Sequence, residues 1–492
     1  MGNEPSTLDP AKMTEIYASV VIQQVVEGLV QYTDNLMVVP CIANSWESSG
    51  DNLRWVFHLK KGVKFHNGRE VRAGDFVYSF TRILDPRTGS RAASLLSRIK
   101  GAEDFMRGKT GQVEGIKAAG PYTLEITLSE PFPPFISVLA MVNFGAVPRE
   151  EVENPEKDFG HHPVGTGPFT FEYWKSNKEI VLEANRDYHE GRPYLDRIVF
   201  RIFPGASIDK MFNEFKKGSL EDSSFPVGKR DEILNSNYQL LQRPAHSLRM
   251  LVINTRHKYL ENEKVRKALN YAINKKEISE KVGKGRLIPA TSLIPPGMPG
   301  YRPDDRNYPY SPEKASKLLK EAGFPGGRGL PVIQYWSSVK SEALLEEDKA
   351  IKEYLSNIGV ELNINCLTDW PAFKKMLQQG KAPIFKYSWE ADVPDPDNIL
   401  SSLFHSRSTT NRSFYKNPQV DALLEKAQNE RDYHRRISLY SEIQDMVMED
   451  APVVLLNYLA YERVFQPYVR NFEGKALGDH YFSLKRVWLD HH

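Results

Sequence analysis

The chain has 492 residues, which is too long for one ordinary domain and long enough for two or three. Its composition is ordinary for a globular protein, with 40% hydrophobic and 26% charged residues. The 65 basic residues nearly balance the 63 acidic residues and give a formal net charge of +2. This balance argues against a basic stripe for nucleic acid or an acidic tail, and we expect no nucleic-acid partner.

The first half of the chain mixes helical and strand periodicities. Apolar residues at helical spacing predict a helix over residues 14–31, and a second amphipathic helix over residues 75–84 ends at Asp85-Pro86. Strict alternation of apolar and polar residues predicts half-buried strands at residues 53–59, 122–128 and 198–202. Residues 63–65 are expected to pair with the first of these strands, ahead of a turn at Asn67-Gly68.

The second half of the chain alternates short strands with amphipathic helices. The predicted strands are residues 251–253, 332–335, 360–364 and 384–387. A helix with a clean apolar stripe covers residues 265–273. Another begins at Ser311-Pro312, with the serine as N-cap, and closes at Gly323. This alternation predicts an α/β lobe.

The strand at residues 384–387 runs into Trp389 and Asp392 and then into a proline-rich turn. Aspartate and proline favour turns, so Asp392 is predicted to lie just past the C-terminal end of the strand, where open α/β sheets bind ligands. The indole offers an apolar surface and the carboxylate a fixed negative charge, a pair that suits an amine with an apolar body. The alternative is that Asp392 is a turn acid that caps the next helix.

Six motifs in one order resemble family 5 extracellular solute-binding proteins, the periplasmic oligopeptide- and dipeptide-binding proteins that feed ABC importers. The W-x-x-D loop ending at Asp392 is one of them. The others are Glu4-Pro5-Ser6-Thr7-Leu8-Asp9-Pro10, Val26-Glu27-Gly28-Leu29, residues 57–68 continuing through 73–80, Gly165-Thr166-Gly167-Pro168-Phe169, and residues 265–273. Each motif alone is weak, whereas their common order is specific.

The resemblance implies a class II-like, cluster C periplasmic-binding-protein architecture, with two α/β lobes joined by crossing strands and an extra subdomain in lobe I. Lobe I would then comprise residues 1–43, 161–246 and 467–492. The extra subdomain would comprise residues 44–160, and lobe II residues 247–466.

The resemblance also implies a ligand-binding set. In the peptide binders an aspartate at the position of Asp392 pairs with the ligand's α-ammonium group, and Trp389 matches a tryptophan of the cleft. Thr14 and Ile16 match positions that make main-chain contacts to the ligand, and we expect Tyr17 to face the cleft. The alternative for Ile16 and Tyr17 is ordinary packing at a helix start.

One departure from the family bears on specificity. Dipeptide binders use an arginine early in a lobe II helix to hold the ligand carboxylate, but the matching stretch, residues 343–347, has no arginine and two acids. Lys340 is nearby, but an ammonium group cannot make the bidentate contact. The sequence therefore predicts longer peptides, or an amine without a carboxylate, rather than dipeptides.

The implied function is reversible capture of a peptide in a closing interlobe cleft and its delivery to ABC permease subunits. We expect a monomer without enzymatic activity or cofactor, located in the periplasm or outside the cell, with lipid anchoring left open. No signal peptide precedes the first motif, and we expect that an export signal has been removed. The alternatives are a nickel-chelate, haem or opine binder, a ligand-reporting sensory protein, and a peptide hydrolase.

Motifs of other functions are weak in this chain. Gly108-Lys109-Thr110 resembles the end of a phosphate-binding loop, but the required earlier glycine is Glu103. The adjacent His161 and His162 would point to opposite faces of a strand, which disfavours a shared metal. Cys41 and Cys366 lack metal spacing and are interpreted as two buried thiols, with a disulfide as the alternative.

Overall fold

The computed structural model describes residues 1–33, 36–205, 208–303, 308–339, 342–472 and 482–490. Its α-helices are α1 Ile16–Val25, α2 Ala73–Leu84, α3 Ala102–Met106, α4 Phe135–Val138, α5 Arg149–Val152, α6 Ile208–Lys216, α7 Arg230–Leu234, α8 Glu263–Ala272, α9 Lys275–Lys281, α10 Pro312–Glu321, α11 Glu342–Ser356, α12 Trp370–Gln378, α13 Pro396–Phe404, α14 Pro418–Asn429 and α15 Tyr433–Asp450.

The strands are β1 Val30–Tyr32, β2 Val38–Pro40, β3 Ala43–Ser48, β4 Arg54–Leu59, β5 Ile116–Gly120, β6 Thr123–Thr127, β7 Phe169–Lys175, β8 Glu179–Ala184, β9 Arg197–Arg201, β10 Asp222–Ser223, β11 Gln239–Pro244, β12 Ser247–Ile253, β13 Leu287–Pro289, β14 Ile333–Ser337, β15 Leu362–Cys366, β16 Ile384–Glu390, β17 Val453–Phe465, β18 Val469–Arg470 and β19 Trp488–Leu489. The chain divides into two compact units. Unit 1 is Met1–Arg243 with Glu462–His492, and unit 2 is Pro244–Tyr461.

Unit 1 is built on antiparallel sheets. One sheet has the strand order β3-β4-β6-β5, and another has the order β7-β8-β9. The alternating strands predicted at residues 53–59, 122–128 and 198–202 are confirmed as β4, β6 and β9. The buried face of α1, including Val21 and Val25, packs with Phe169 and Leu182 of the second sheet in one apolar core.

The first helix is shorter than the sequence predicts. It ends at Val25, and the residues predicted to continue it to position 31 include strand β1. The Gly165-Thr166-Gly167 segment lies against this helix end, where the Gly167 amide donates to the Val25 carbonyl at 2.9 Å. A Cβ on Gly165 would lie 2.0 Å from that carbonyl oxygen. The two glycines of the motif are therefore required by close backbone approach.

The expected pairing of residues 63–65 with β4 is wrong. Instead, this segment folds back on the residues after the turn: the Phe65 amide donates to the Arg69 carbonyl and the Val71 amide to the Val63 carbonyl, both at 2.8 Å. The turn at Asn67-Gly68 is confirmed, and Gly68 has a φ of +88°. Such a φ suits glycine because it has no Cβ, so the hairpin closes on itself.

Unit 2 has a mixed sheet with the strand order β17-β12-β16-β14-β15. Strands β14 and β15 are parallel, as are β14 and β16, whereas β12 is antiparallel to both β16 and β17. Helix α11 connects β14 to β15 and α12 connects β15 to β16, which gives the predicted βα alternation. The predicted helix start at Ser311 is confirmed, because its side chain accepts a hydrogen bond from the Lys314 amide.

The two cysteines are both free, and only one is buried. Cys41 is buried, whereas Cys366 ends the edge strand β15 and is exposed, so the prediction of two buried thiols is wrong for the second. Across the described ranges, no helix combines the length and apolar character needed to cross a membrane.

Candidate functional site

The predicted strand-end position of Asp392 is confirmed. Strand β16 pairs with β12 along its whole length, with Leu248 opposite Trp389, and ends at Glu390. The Ala391 amide then donates to the His246 carbonyl at 2.9 Å, and Asp392 follows as an exposed residue. The residues between this strand and α13, 391–395, are called the Asp392 loop below.

Asn398 connects the tryptophan and the loop. Its Oδ1 accepts hydrogen bonds from the Trp389 indole Nε1 at 3.2 Å and from the Asp392 backbone amide at 3.4 Å. One amide side chain therefore fixes the indole and the base of the candidate acid relative to each other.

The cap of the next helix is Asp395, not Asp392. Its side chain accepts from the Asp397 amide at 3.0 Å at the start of α13. The same carboxylate is buried and forms a bidentate pair with Arg436 of α15, with N–O distances of 2.9 and 2.6 Å. Burial lowers the pKa of Arg436, but the charge of Asp395 outweighs it, so that pKa is raised. The loop is thus anchored by a buried ion pair that leaves Asp392 at the surface.

Asp397 is a second acid beneath the loop. It accepts from Ser401, Gln428 and Tyr440 through Oδ1, at 2.6, 3.0 and 3.2 Å. Burial, followed by the charge of Asp395, raises its pKa. Two carboxylates therefore share one cation, Arg436, and only Asp395 pairs with it directly.

An aromatic surface continues from Trp389 along the same face of β16. Tyr387 and Trp389 are two residues apart, so both point to one side of the strand, and both are half-buried. Trp370, at the start of α12, stacks on Tyr387 with ring centres 6.4 Å apart, and 44% of Trp370 is exposed. Exposed aromatic side chains of this kind bind apolar groups well.

The stretch that lacks the family's arginine contains a buried acid. Glu347 and its neighbour Asp348 are fully buried in α11, and both accept from Lys386 Nζ, at 3.0 and 2.5 Å. Asn457 donates to the other oxygen of Glu347 at 3.0 Å, and the Tyr335 hydroxyl donates to Asp348 at 2.6 Å. These acids are therefore engaged inside unit 2. Sequence reasoning missed this network, because no local motif joins Lys386 to residues some forty positions away.

In unit 1, the candidate residues lie at the start of α1. Glu15 precedes the helix and accepts from the Ser6 amide at 2.6 Å and the Thr14 hydroxyl at 2.6 Å. Burial raises the pKa of Glu15, but these hydrogen bonds outweigh it, so the pKa is lowered. Thr14 and Ile16 are exposed and Tyr17 is half-buried. These three residues are thus presented at the surface of unit 1.

The segment before α1 is held by acids of the first motif. Asp9 forms a bidentate ion pair with Arg82 of α2 and accepts from the Ala11 amide at 3.1 Å. Glu4 accepts from the Trp174 indole at 2.7 Å and from the Asn177 amide at 2.9 Å. The two motif acids therefore have structural partners that fix the path of residues 4–15.

Glu27 of the second motif is a buried carboxylate with a full set of donors. Tyr188 donates at 2.5 Å and Thr166 at 3.1 Å, and the His189 ring lies at 2.9 Å. Burial raises the pKa of Glu27, and His189 and Tyr188 more than compensate, so the pKa is lowered. This satisfied cluster joins α1, the glycine motif and the turn after β8 inside unit 1.

Lys340, the remaining predicted ligand residue, lies outside the described residues. Thus Asp392 and Trp389 are brought together in unit 2, and Thr14, Ile16 and Tyr17 are adjacent in unit 1. Within the described part of the chain, no group of three or more His, Cys, Asp or Glu residues is arranged to hold a metal ion.

A family model for bacterial extracellular solute-binding proteins, family 5, matches residues 37–411. The chain belongs to this family. Membership confirms the resemblance carried by the motifs and makes the protein a solute-binding component of a transport system. The predicted α/β periplasmic-binding-protein fold is likewise confirmed by solved structures of this family.

Three similar proteins illustrate the range of the family. The chain is 30% identical over 478 residues to heme-binding protein A of Haemophilus influenzae, covering 93% of this chain and 85% of that protein. It is 29% identical over 477 residues to the dipeptide-binding protein of Escherichia coli, covering 91% of this chain and 85% of that protein. The periplasmic binding protein DppA of Helicobacter pylori, solved in complex with the peptide STSA, superposes with a TM-score of 0.75 at 28% identity. The superposition covers 99% of this chain and 96% of that protein.

Proposed function

We propose that this protein captures peptides and delivers them to the membrane subunits of an ABC importer. The observation that carries the proposal is the exposed Asp392, held at the end of β16 beside the Trp389 indole. Its carboxylate would accept the peptide's α-ammonium group, and the aromatic surface would pack against the first side chains. A hydrogen bond between charged groups contributes about 1.5–3 kcal/mol.

The two units would act as the two lobes of the family's architecture. Unit 2 corresponds to the proposed lobe II of residues 247–466, and unit 1 to lobe I together with its extra subdomain. Thr14, Ile16 and Tyr17 would supply the unit 1 contacts, by adding the peptide backbone as a strand. The protein would bind without chemistry, as a monomer in the periplasm or outside the cell.

The buried network at Glu347 supports a preference for peptides longer than two residues. A dipeptide places its carboxylate at one fixed distance from its amine, and the buried acids of α11, which already pair with Lys386, offer it no cationic partner. We expect peptides of about four or more residues to bind at least about tenfold more tightly than dipeptides of similar composition. A competition series from two to eight residues measures this, and a dipeptide optimum would contradict it.

The proposal is tested by removing charge from one side of the amine contact at a time. Asp392→Asn keeps the shape of the side chain and should weaken peptide binding about 10- to 100-fold. N-acetylation of the peptide should lower its affinity for the wild type by a similar factor. Asp445→Asn, which removes an exposed acid of α15 paired with Arg302, is the control and should leave binding unchanged. Equal affinity for free and acetylated peptides in calorimetry would refute the role of Asp392.

Haem is a second candidate ligand, because the relative with 30% identity is named a heme-binding protein. Titration of the ligand-free protein with haem separates the two proposals. Saturable binding with a shifted Soret band, unaffected by peptide, would favour haem as cargo. Peptide binding that depends on Asp392 with no haem response would favour the first proposal.

A further inference from the structure

Two hydrogen-bond donors at the end of β16 share one acceptor atom, Asn398 Oδ1. The Trp389 indole Nε1 lies 3.2 Å from this oxygen, and the Asp392 backbone nitrogen lies 3.4 Å from it. An indole nitrogen and a backbone amide can only donate, so the side chain of Asn398 must turn its oxygen, and not its NH₂ group, toward both of them. The two contacts themselves therefore settle the orientation of this amide.

Asn398 stands on a rigid part of α13. It is the third residue of the helix, and its backbone amide donates to the carbonyl of the N-cap residue Asp395 at 3.1 Å. Asp395 is held in turn by its buried ion pair with Arg436. The two residues that follow Asn398, Ile399 and Leu400, are both 0% exposed and lie in the core of unit 2. The backbone that carries the amide is thus fixed on both sides.

The side chain of Asn398 takes an unusual course for its place in a helix. A polar residue at the third position commonly reaches back to the backbone amide of the N-cap residue. Here the Asp395 amide donates instead to the Val393 carbonyl at 2.8 Å, so it does not need the side chain of Asn398. The Asn398 amide therefore connects α13 to the strand end rather than capping its own helix.

The shared oxygen links the two groups that are proposed to touch the ligand. Rotation of the Trp389 indole would carry Nε1 away from Asn398 and leave a half-buried donor without an acceptor, which is costly. A shift of the Asp392 backbone would break the second hydrogen bond to the same atom. Because one oxygen accepts both bonds, the orientation of the ring and the position of the acid are fixed together.

We infer that Asn398 is the positioning residue that gives the site its selectivity for a free amine. This inference rests on the proposed function and deepens it. Asn398 acts through the Asp392 loop and the indole, without a contact of its own to the ligand. A charge-assisted hydrogen bond weakens steeply when its geometry is poor, so a displaced Asp392 carboxylate loses much of its preference for a charged amine over a neutral one.

The test measures the ratio of the affinities for penta-alanine and N-acetyl-penta-alanine by calorimetry at pH 7. In the wild type this ratio should be about 10 to 100, as proposed for Asp392. Asn398→Leu keeps the size of the side chain but removes the acceptor, and it should reduce the ratio to about threefold or less. Asn398→Asp keeps an oxygen at the same place and adds negative charge, so its ratio should stay at or above the wild-type value.

A second measurement separates positioning from a purely structural role. In the Asn398→Leu background, Asp392→Asn should weaken binding of penta-alanine by only about threefold or less. A residue that merely stabilised the fold would leave the effect of Asp392→Asn unchanged, because the two substitutions would then be additive. The indole Nε1–H resonance of Trp389, identified by its absence in Trp389→Phe, should also shift in ligand-free Asn398→Leu.

Asn429→Leu is the matched control. Asn429 is an exposed residue of α14 whose side chain donates to the Glu425 carbonyl at 2.7 Å, so the ratio should stay at the wild-type value. Melting temperatures show whether each variant is folded. Asn398→Ala, which leaves room for a water molecule at the two donors, is the second variant and should also reduce the ratio.

The outcomes separate the inference from the proposed function. An unchanged ratio in folded Asn398→Leu and Asn398→Ala, or a ratio that falls equally in Asn398→Asp, would overturn the role of Asn398 and leave peptide capture intact. A wild-type ratio near one would overturn the amine contact of Asp392 and this inference with it. Failure of any peptide to bind would overturn the proposed function itself. A ratio that falls in Asn398→Leu and Asn398→Ala but not in Asn398→Asp or Asn429→Leu would support the assignment.

Discussion

The Asp395–Arg436 pair should control the stability of unit 2 without contacting the ligand. Asp395→Asn keeps the size of the side chain and much of its capping ability but leaves Arg436 without its ionic partner. Both side chains are at most 10% exposed, so solvent cannot replace the lost contact. Breaking a buried pair by removing one partner costs about 3–5 kcal/mol of unfolding free energy.

Asp397 could reduce the loss of unfolding free energy in Asp395→Asn toward about 3 kcal/mol. It is the other acid near Arg436, and loss of the Asp395 charge should lower its pKa and let it neutralise part of the cation. Its Oδ1 is already held by Ser401, Gln428 and Tyr440, which limits that compensation. For a unit of this size, the loss corresponds to a melting temperature lower by about 6–20 °C.

Calorimetric unfolding of three variants checks this reasoning. Asp392→Asn removes an exposed acid of the same loop and should change the unfolding free energy by less than about 1 kcal/mol while weakening peptide binding. The double variant Asp395→Asn/Arg436→Met should recover part of the stability, because no charge is left buried. If Asp395→Asn were no more destabilising than Asp392→Asn, the ion pair would not be the anchor of the loop.

Three further predictions follow from packing, protonation and stacking. Gly165→Ala should lower the unfolding free energy by about 2–3 kcal/mol because its Cβ would meet a backbone oxygen at 2.0 Å, whereas Gly74→Ala, with nothing within 4 Å, should not be destabilising; urea unfolding compares them. Burial lowers the pKa of His246 to about 4, so the folded state binds a proton at this residue less tightly than the unfolded state does. The unfolding free energy of the wild type should therefore fall as the pH drops from 6.5 to about 4, and His246 should account for about 3 kcal/mol of this loss. In His246→Gln, the unfolding free energy measured against pH should have a shallower slope over this range. Trp389→Ala should weaken peptides of all lengths by about tenfold in a competition assay, and a loss confined to short peptides would contradict its stacking role.

The elements with strong local signals were predictable from sequence. The sequence places the start of helix α10 correctly and its end to within about a residue, because Ser311, Pro312 and Gly323 are local start and stop signals. The apolar spacing extends helix α1 beyond its observed end at Val25, where two glycines some 140 residues later in the chain approach the Val25 carbonyl. The hydrophobic periodicity of a short sequence window carries no information about a contact with such distant residues.

At the candidate site, too, the sequence predicts local features but not contacts between distant residues. The strand end at Asp392 was predictable because apolar residues lead into a turn-forming sequence. The different roles of Asp392 and Asp395 could not be predicted, because both are acidic residues of the same turn in the sequence. Only the ion pair with Arg436 of α15 distinguishes the buried Asp395 from the exposed Asp392.

The sequence by itself determined the family, the α/β character and the acid at the strand end, since each is encoded in short-range spacing or ordered motifs. Tertiary structure decided which charges are satisfied. Lys386 is neutralised by Glu347 and Asp348 of α11, whereas Arg412 lines a cavity without a carboxylate. These four residues are ordinary charged residues in the sequence. Their difference arises because burial makes an ionic partner necessary, and partners are brought together by the packing of distant elements rather than by neighbouring positions.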